Sequence, residues 1–134
     1  MKNPFQIGAQ KVFSLIVDAE MFARFDSGAV HPVYSTFYLC KHAEWTGRLF
    51  VLEMLEEGEE GIGTHISIEH LAPAVLGEQV TITASLIEVT GRSIECVFEA
   101  RVAERLIAKG KTGQKIINKA RFDAYLATLQ DEQA

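Results

Sequence analysis

A long proline-free segment from Phe37 to about Glu57 most constrains the fold, because its side chains are apolar most of the way round. Gly58 and Gly61 follow it as stop signals, so the segment predicts a helix of about five turns. A helix of this kind is normally surrounded by other elements and does not lie on a surface. Its apolar side chains form two stripes, which are Leu39, Ala43, Phe50 and Met54, and Trp45, Leu49 and Leu52.

The apolar period changes to two from residue 64 onward, which is typical of half-buried antiparallel strands. Strands are predicted in THISIEH (64–70), QVTITASLIEV (79–89) and SIECVFEARVAE (93–104). Gly91 predicts a tight hairpin between the last two. The residues that share a face are Ile66, Ile68 and His70 on the first, Val80, Ile82, Ala84 and Leu86 on the second, and Ile94, Cys96, Phe98, Ala100 and Val102 on the third.

The other segments carry weaker patterns. KVFSLIV (11–17) is predicted as an opening strand, and residues 18–32 as a loop with at most one helical turn. RLIAKGKTGQKIIN (105–118) predicts a strand that is bulged where Gly110 and Gly113 fall. The tail from residue 119 has helical spacing of its apolar residues, with a short frayed extension as the alternative.

This order of elements predicts an α+β domain in which a curved antiparallel sheet of about five strands covers one long central helix. The chain has 134 residues, of which 48% are apolar. A single domain over residues 1–134 with one hydrophobic core is therefore expected.

Composition argues against several classes of function. The net charge of -5 disfavours a nucleic-acid-binding protein. No apolar run is long enough to span a membrane and no signal peptide is recognised, so a cytoplasmic protein is expected. Cys40 and Cys96 are predicted to be free, buried side chains, and the spacing of ligand types favours no metal or cofactor.

Basic residues gather in the last third of the chain. Such a local patch could receive the phosphates of a nucleotide-bearing ligand, and a solvated strand face is the alternative. The residues are Lys109, Lys111, Lys115, Lys119 and Arg121.

Two polar residues of the predicted helix have a chemical and a structural interpretation. Glu44 falls between apolar side chains on the helical wheel and is expected to be half immersed, which would suit general acid or base work. An ion pair with Arg48 is the simpler alternative. Thr36, at the helix entry, is either a functional hydroxyl or a cap for free backbone amides.

Three histidines differ in their predicted environments. His70 is expected to point toward the core side of the sheet, as a proton donor or as a hydrogen-bonded core residue. His65 has the opposite parity and is expected to face outward or toward a partner subunit. His42 lies on the more polar arc of the helix and is expected to be solvated.

The nucleophile elbow, the Walker loop and the dinucleotide fingerprint are all missing from the sequence. Three glycines in GEEGIGTH precede a strand and not a helix, so a helix-based phosphate cradle is not predicted. The backbone amide near Gly63 could still polarise a carbonyl group.

The stretches STFYLCKHAEW and GIGTHISIEHLAPAVLGEQVTITASL together resemble the fluoroacetyl-CoA thioesterase-like family of hotdog proteins. Members carry a threonine, a glutamate eight residues later on the central helix, and a histidine twenty-six residues beyond it. Thr36, Glu44 and His70 match these positions. The resemblance runs over most of the chain, including VTGR at the predicted hairpin.

The resemblance implies a hotdog fold and hydrolysis of a small acyl-CoA thioester at a subunit interface of a homodimer or tetramer. Thr36 and Glu44 would serve the attack on the carbonyl, His70 would stabilise or protonate, and the amide of Gly63 would hold the carbonyl oxygen. Val30 and Phe37, with Tyr38, Ile68 and residues of a second protomer, would shape the acyl pocket.

The sequence departs from the family pattern in two places, one of a single residue and one of two. Gln114 stands where members often carry an arginine, which puts a charged substrate contact in doubt. Val30 and His31 replace an aromatic residue and a proline, so specificity for fluoroacetate is not implied.

Two other functions are weighed against hydrolysis. An acyl-CoA-binding protein without turnover is one alternative. A hotdog enoyl-CoA hydratase is the other, since Asp26 and His31 stand five residues apart before the helix, although the wider hydratase motif is missing.

Overall fold

The central helix forms as predicted and is slightly shorter. The computed structural model describes residues 1–133, and in it helix α1 spans Thr36–Met54. Its first turn is capped by Ser35, whose hydroxyl oxygen accepts a 3.1 Å hydrogen bond from the backbone N–H of Tyr38. One apolar stripe is fully buried, because Leu39, Ala43, Phe50 and Met54 are all inaccessible to solvent.

A five-stranded antiparallel sheet packs against α1 and confirms the predicted α+β arrangement. Its strands are β1 (Gln10–Ile16), β4 (Glu59–His70), β5 (Gln79–Thr90), β6 (Ser93–Val102) and β7 (Arg105–Asn118). The strand order is β1-β5-β6-β7-β4, so β1 and β4 are the two edges.

The inward faces of β5 and β6 are those that the period-two pattern predicts. Val80, Ile82, Ala84 and Leu86 are buried on β5, as are Ile94, Cys96, Phe98 and Ala100 on β6. Thr90 pairs with Ser93 across the predicted hairpin, where Gly91 takes a positive φ of 59°. This turn therefore needs a residue without a Cβ.

The prediction for residues 18–32 is right about the single helical turn and wrong about the loop. The structure has one 3-10 turn (Ala19–Met21) followed by a small hairpin, formed by β2 (Phe22–Phe25) and β3 (Gly28–Tyr34). The pairing has two register shifts, β3 is largely exposed, and β2 is exposed at two of its four residues. Short, irregular, exposed strands leave no alternating pattern to read.

Strand β7 takes part in two bulges, but neither has its extra residue at Gly110 or Gly113 as predicted. The extra residue between β4 and β7 is Thr64, and that between β6 and β7 is Ile107. The glycines of β7 instead allow close packing. A Cβ on Gly110 would lie 1.8 Å from the carbonyl oxygen of Ser67, and one on Gly113 would lie 2.2 Å from the imidazole of His65.

Gly110→Ala is expected to lower the free energy of unfolding by about 3 kcal/mol, because the new methyl overlaps the backbone of β4 and the ring of Phe98. Urea denaturation measures the change. Lys109→Ala, at the exposed neighbouring position, is the control and should change stability by less than about 0.5 kcal/mol. Equal stability of the two variants would contradict the packing role of Gly110.

The tail forms a second helix, α2 (Lys119–Asp131), capped by the side chain of Asn118. None of its residues is buried, although Phe122 and Leu129 are partly covered. Neither this helix nor any other in the described part of the chain has the length and apolar character needed to cross a membrane.

Candidate active site

Thr36 and His70 meet at the junction of the helix and the sheet. Thr36 is the first residue of α1 and His70 is the last of β4, and their Oγ1 and Nδ1 atoms are 2.9 Å apart. Because Ser35 performs the capping, the hydroxyl of Thr36 is available for this contact. The structural interpretation of Thr36 as the helix cap is therefore wrong.

His70 is half-buried and faces the helix side of the sheet, as its parity predicts. Burial lowers its pKa below the ordinary value of 6.5, and the nearby backbone of Ala72 partly offsets this effect. Its Nε2 atom is buried and has no hydrogen-bond partner in residues 1–133. A neutral imidazole beside a hydroxyl can accept the hydroxyl proton.

Glu44 lies against the backbone of Gly63 on β4. A Cβ at position 63 would be 2.1 Å from Oε1 of Glu44, so a side chain there would displace the carboxylate from its present position. The Glu44 side chain is exposed in the single chain, which corrects the expectation that it is half immersed, and Arg48 pairs with Glu60 instead of Glu44. The carboxylate is thus accessible to solvent and lies against the side of Gly63 where a side chain would stand.

Gln114 is 4% exposed and joins β7 to the helix. Its Nε2 donates a 3.3 Å hydrogen bond to the backbone carbonyl of Glu44. Gly47, one turn along the helix, allows this approach, since a Cβ there would lie 3.3 Å from the same Nε2 atom. The contact fixes the part of α1 that carries Glu44.

The two clusters are separate within one chain. Thr36 and Glu44 are eight residues apart on α1, which places them about 12 Å apart along the helix axis. The Thr36 hydroxyl contacts His70, whereas the Glu44 carboxylate contacts Gly63. The helix and β4 therefore bring the predicted residues together in pairs and do not join all of them.

His42 is not solvated as predicted. Its Nδ1 atom lies 2.7 Å from the hydroxyl of buried Tyr34, and the rings of Phe13 and Tyr38 are close by. Burial lowers the pKa of His42, and the nearby charge of Lys41 adds to this effect. Sequence inspection missed this cluster, although Tyr34 and His42 stand eight residues apart on either side of the helix entry.

The remaining candidates lie outside these contacts. Val30 is exposed on β3, and Phe37, next to Thr36, is 76% exposed. Asp26 lies in the β2–β3 turn and makes no hydrogen bond to His31 in the described structure. His65 faces outward as predicted and contacts Glu95 at 2.9 Å. Within residues 1–133 no three His, Cys, Asp or Glu side chains are placed to share a metal ion.

Comparison with known proteins supports the fold. A thioesterase superfamily member from Thermus thermophilus superposes with a TM-score of 0.93 at 39% identity, covering 97% of this chain and 96% of that one. The structure of a fluoroacetyl-CoA thioesterase gives a TM-score of 0.86 at 25% identity, covering 94% and 98%. The long helix and five-stranded antiparallel sheet are thus the hotdog fold of the thioesterase superfamily.

The sequence identifies the family within this class. Residues 17–120 match the family described as fluoroacetyl-CoA-specific thioesterase. The fluoroacetyl-CoA thioesterase of Streptantibioticus cattleyicolor is 30% identical over 92 residues, which are 69% of this chain and 66%, just under two thirds, of that protein. The chain belongs to the fluoroacetyl-CoA-specific thioesterase family.

Proposed function

We propose that this protein is a thioesterase that hydrolyses a small acyl-CoA thioester to the free acid and coenzyme A. The observation that carries the proposal is the 2.9 Å contact between Thr36 and His70, in a chain whose Glu44 carboxylate lies against Gly63. Family membership supports this chemistry. The fluoroacetyl specificity of the relative is not part of the proposal.

Each group has a role in the proposed reaction. The Glu44 carboxylate attacks the thioester carbonyl or removes a proton from the attacking water, and the Gly63 amide stabilises the charge on the carbonyl oxygen. The C–S bond breaks, the acid is released after water has been added, and the thiolate of coenzyme A takes up a proton. The Thr36–His70 pair supplies or accepts protons during these steps once a second copy of the chain joins the two clusters.

A second copy of the chain is proposed to complete the site. The second apolar stripe of α1 is open in the single chain, where Trp45 is 39% and Leu52 is 44% exposed. Residues 63–67 of the edge strand β4 are exposed on both faces of the sheet. A partner that covers this surface would bury apolar area. It would also bring residues of the partner toward the Thr36–His70 and Glu44–Gly63 clusters.

The proposed reaction takes place in the cytoplasm. Cys40 and Cys96 are free cysteines, and free thiols are typical of a reducing compartment.

Thiol release from a panel of acyl-CoA thioesters, measured with a disulfide reagent, tests the proposed function. The panel contains acetyl-, fluoroacetyl-, butyryl- and crotonyl-CoA. Thiol release from at least one member is the expected result. Hydration of crotonyl-CoA without thiol release would indicate a hydratase, and binding without turnover would indicate a non-catalytic acyl-CoA-binding protein. Light scattering coupled to size exclusion is expected to give at least twice the mass of one chain.

A further inference from the structure

A groove of about 670 Å³ lies where α2 leaves the sheet, beside the loop that joins α1 to β4. We infer that this groove binds the nucleotide end of coenzyme A, with its 3′-phosphate on basic side chains and its adenine on aromatic rings. The inference rests on the proposed function, because it assigns a second part of the same substrate. The lining of the groove includes Arg92, Lys115, Arg121, Phe122 and Tyr125.

The basic residues of the C-terminal third have different surroundings. Lys109 is paired in register with Glu69 and Glu99 on the neighbouring strands, and Lys119 forms an ion pair with Asp123 at 3.2 Å. Lys115 and Arg121 line the groove and form no ion pair within residues 1–133. Two cations are therefore available there for a phosphate group.

The acidic residues of the groove are largely compensated. Glu59 contacts the amino group of Met1 and Arg92, and the amino group and, more weakly, Arg92 hold the pKa of its carboxyl well below the usual range. Glu56 contacts the same amino group. Arg92 is held in place because its Nε also donates a 2.8 Å hydrogen bond to the carbonyl of Ile116. Glu57 is the remaining glutamate of the lining.

Nucleotide binding in the groove would explain why α2 carries two aromatic side chains that are not part of the core. Phe122 and Tyr125 are three residues apart and share a face of the helix, and Tyr125 is 57% exposed. No residue of α2 is buried, so core packing does not explain these rings. An aromatic side chain beside a cation is a stacking surface for a nucleobase.

The groove is at a suitable distance from the proposed reaction centre. Strand β4 begins at Glu59, which lines the groove, and reaches Gly63 four residues later, a span of about 13 Å. An extended pantetheine arm covers a comparable distance. One molecule of substrate can therefore place its nucleotide in the groove and its thioester near Glu44.

The test compares acyl-CoA with the acyl thioester of N-acetylcysteamine, which lacks the nucleotide. Arg121→Gln and Tyr125→Ala are each expected to raise KM for acyl-CoA about tenfold with little change in kcat, and to leave kcat/KM for the truncated thioester unchanged. Lys109→Gln, outside the groove, is the matched control and should behave like the wild type. An unchanged KM for acyl-CoA in both groove variants would overturn the inference.

Calorimetric titration with 3′,5′-ADP tests the groove without turnover. Binding by the wild type and at least tenfold weaker binding by Arg121→Gln are the expected results. If 3′,5′-ADP binds in this way but no thioester is hydrolysed, the proposed function fails and the groove assignment stands. If acyl-CoA is hydrolysed but 3′,5′-ADP binds equally to the wild type and Arg121→Gln, the groove assignment fails and the function stands.

Discussion

Glu44→Gln is expected to lower kcat for acyl-CoA hydrolysis about 10³-fold without a change in folding. The amide has the shape of the carboxylate but neither attacks a carbonyl nor accepts a proton from water. The hydrogen bond that joins β7 to the helix here is donated by Gln114 to the backbone carbonyl of Glu44, so the variant keeps it. Thiol release under saturating substrate measures the loss, and circular dichroism checks the fold.

Glu53→Gln is the matched control for this prediction. Glu53 is an exposed carboxylate on the same helix and contacts Lys11, so its replacement should leave kcat and KM near their wild-type values. If Glu44→Gln retains wild-type turnover on every substrate that the wild type hydrolyses, the proposed role of the carboxylate is wrong.

Thr36→Val and His70→Gln are each expected to lower kcat/KM about 10²-fold. The kcat/KM of the double variant should be no lower than that of the less active single variant. The reason is that the hydroxyl and the imidazole form one hydrogen-bonded unit, so breaking the contact from either side has the same consequence. His65→Gln, on the outward face of the same strand, is the control and should keep activity near the wild-type level.

The pH dependence of kcat/KM gives a second readout of this pair. Because burial lowers the pKa of His70, its neutral form persists below pH 6.5, and activity should decline only at still lower pH as Nδ1 becomes protonated. The acid limb should be absent from the residual activity of His70→Gln. Additive losses in the double variant, together with an unchanged acid limb, would contradict the Thr36–His70 unit.

Much of the fold could be predicted because its signals are local. A five-turn apolar segment and strands of period two are recorded residue by residue along the chain, and α1, β5 and β6 follow them closely. The β2–β3 hairpin could not be predicted, since its exposed strands and shifted register leave no period. The bulges at Thr64 and Ile107 depend on the partner strand, which no single segment specifies.

In the candidate site, too, local features could be predicted and contacts between elements could not. Parity correctly predicts that His70 faces the helix and His65 faces outward. The environment of Glu44 was predicted wrongly, because the helical wheel counts apolar neighbours on one helix and does not show which of them another element covers. His42 was missed for the converse reason, since Tyr34 and Phe13 reach it from other elements.

Residue type and period are enough to define the central helix, the alternating strands and the spacing of Thr36, Glu44 and His70. Three contacts arise only in the folded chain: Ser35 and not Thr36 caps the helix, Thr36 contacts a histidine 34 residues away, and Glu44 lies against Gly63. These contacts depend on how the helix crosses the sheet and on strand register, which packing of the whole chain sets.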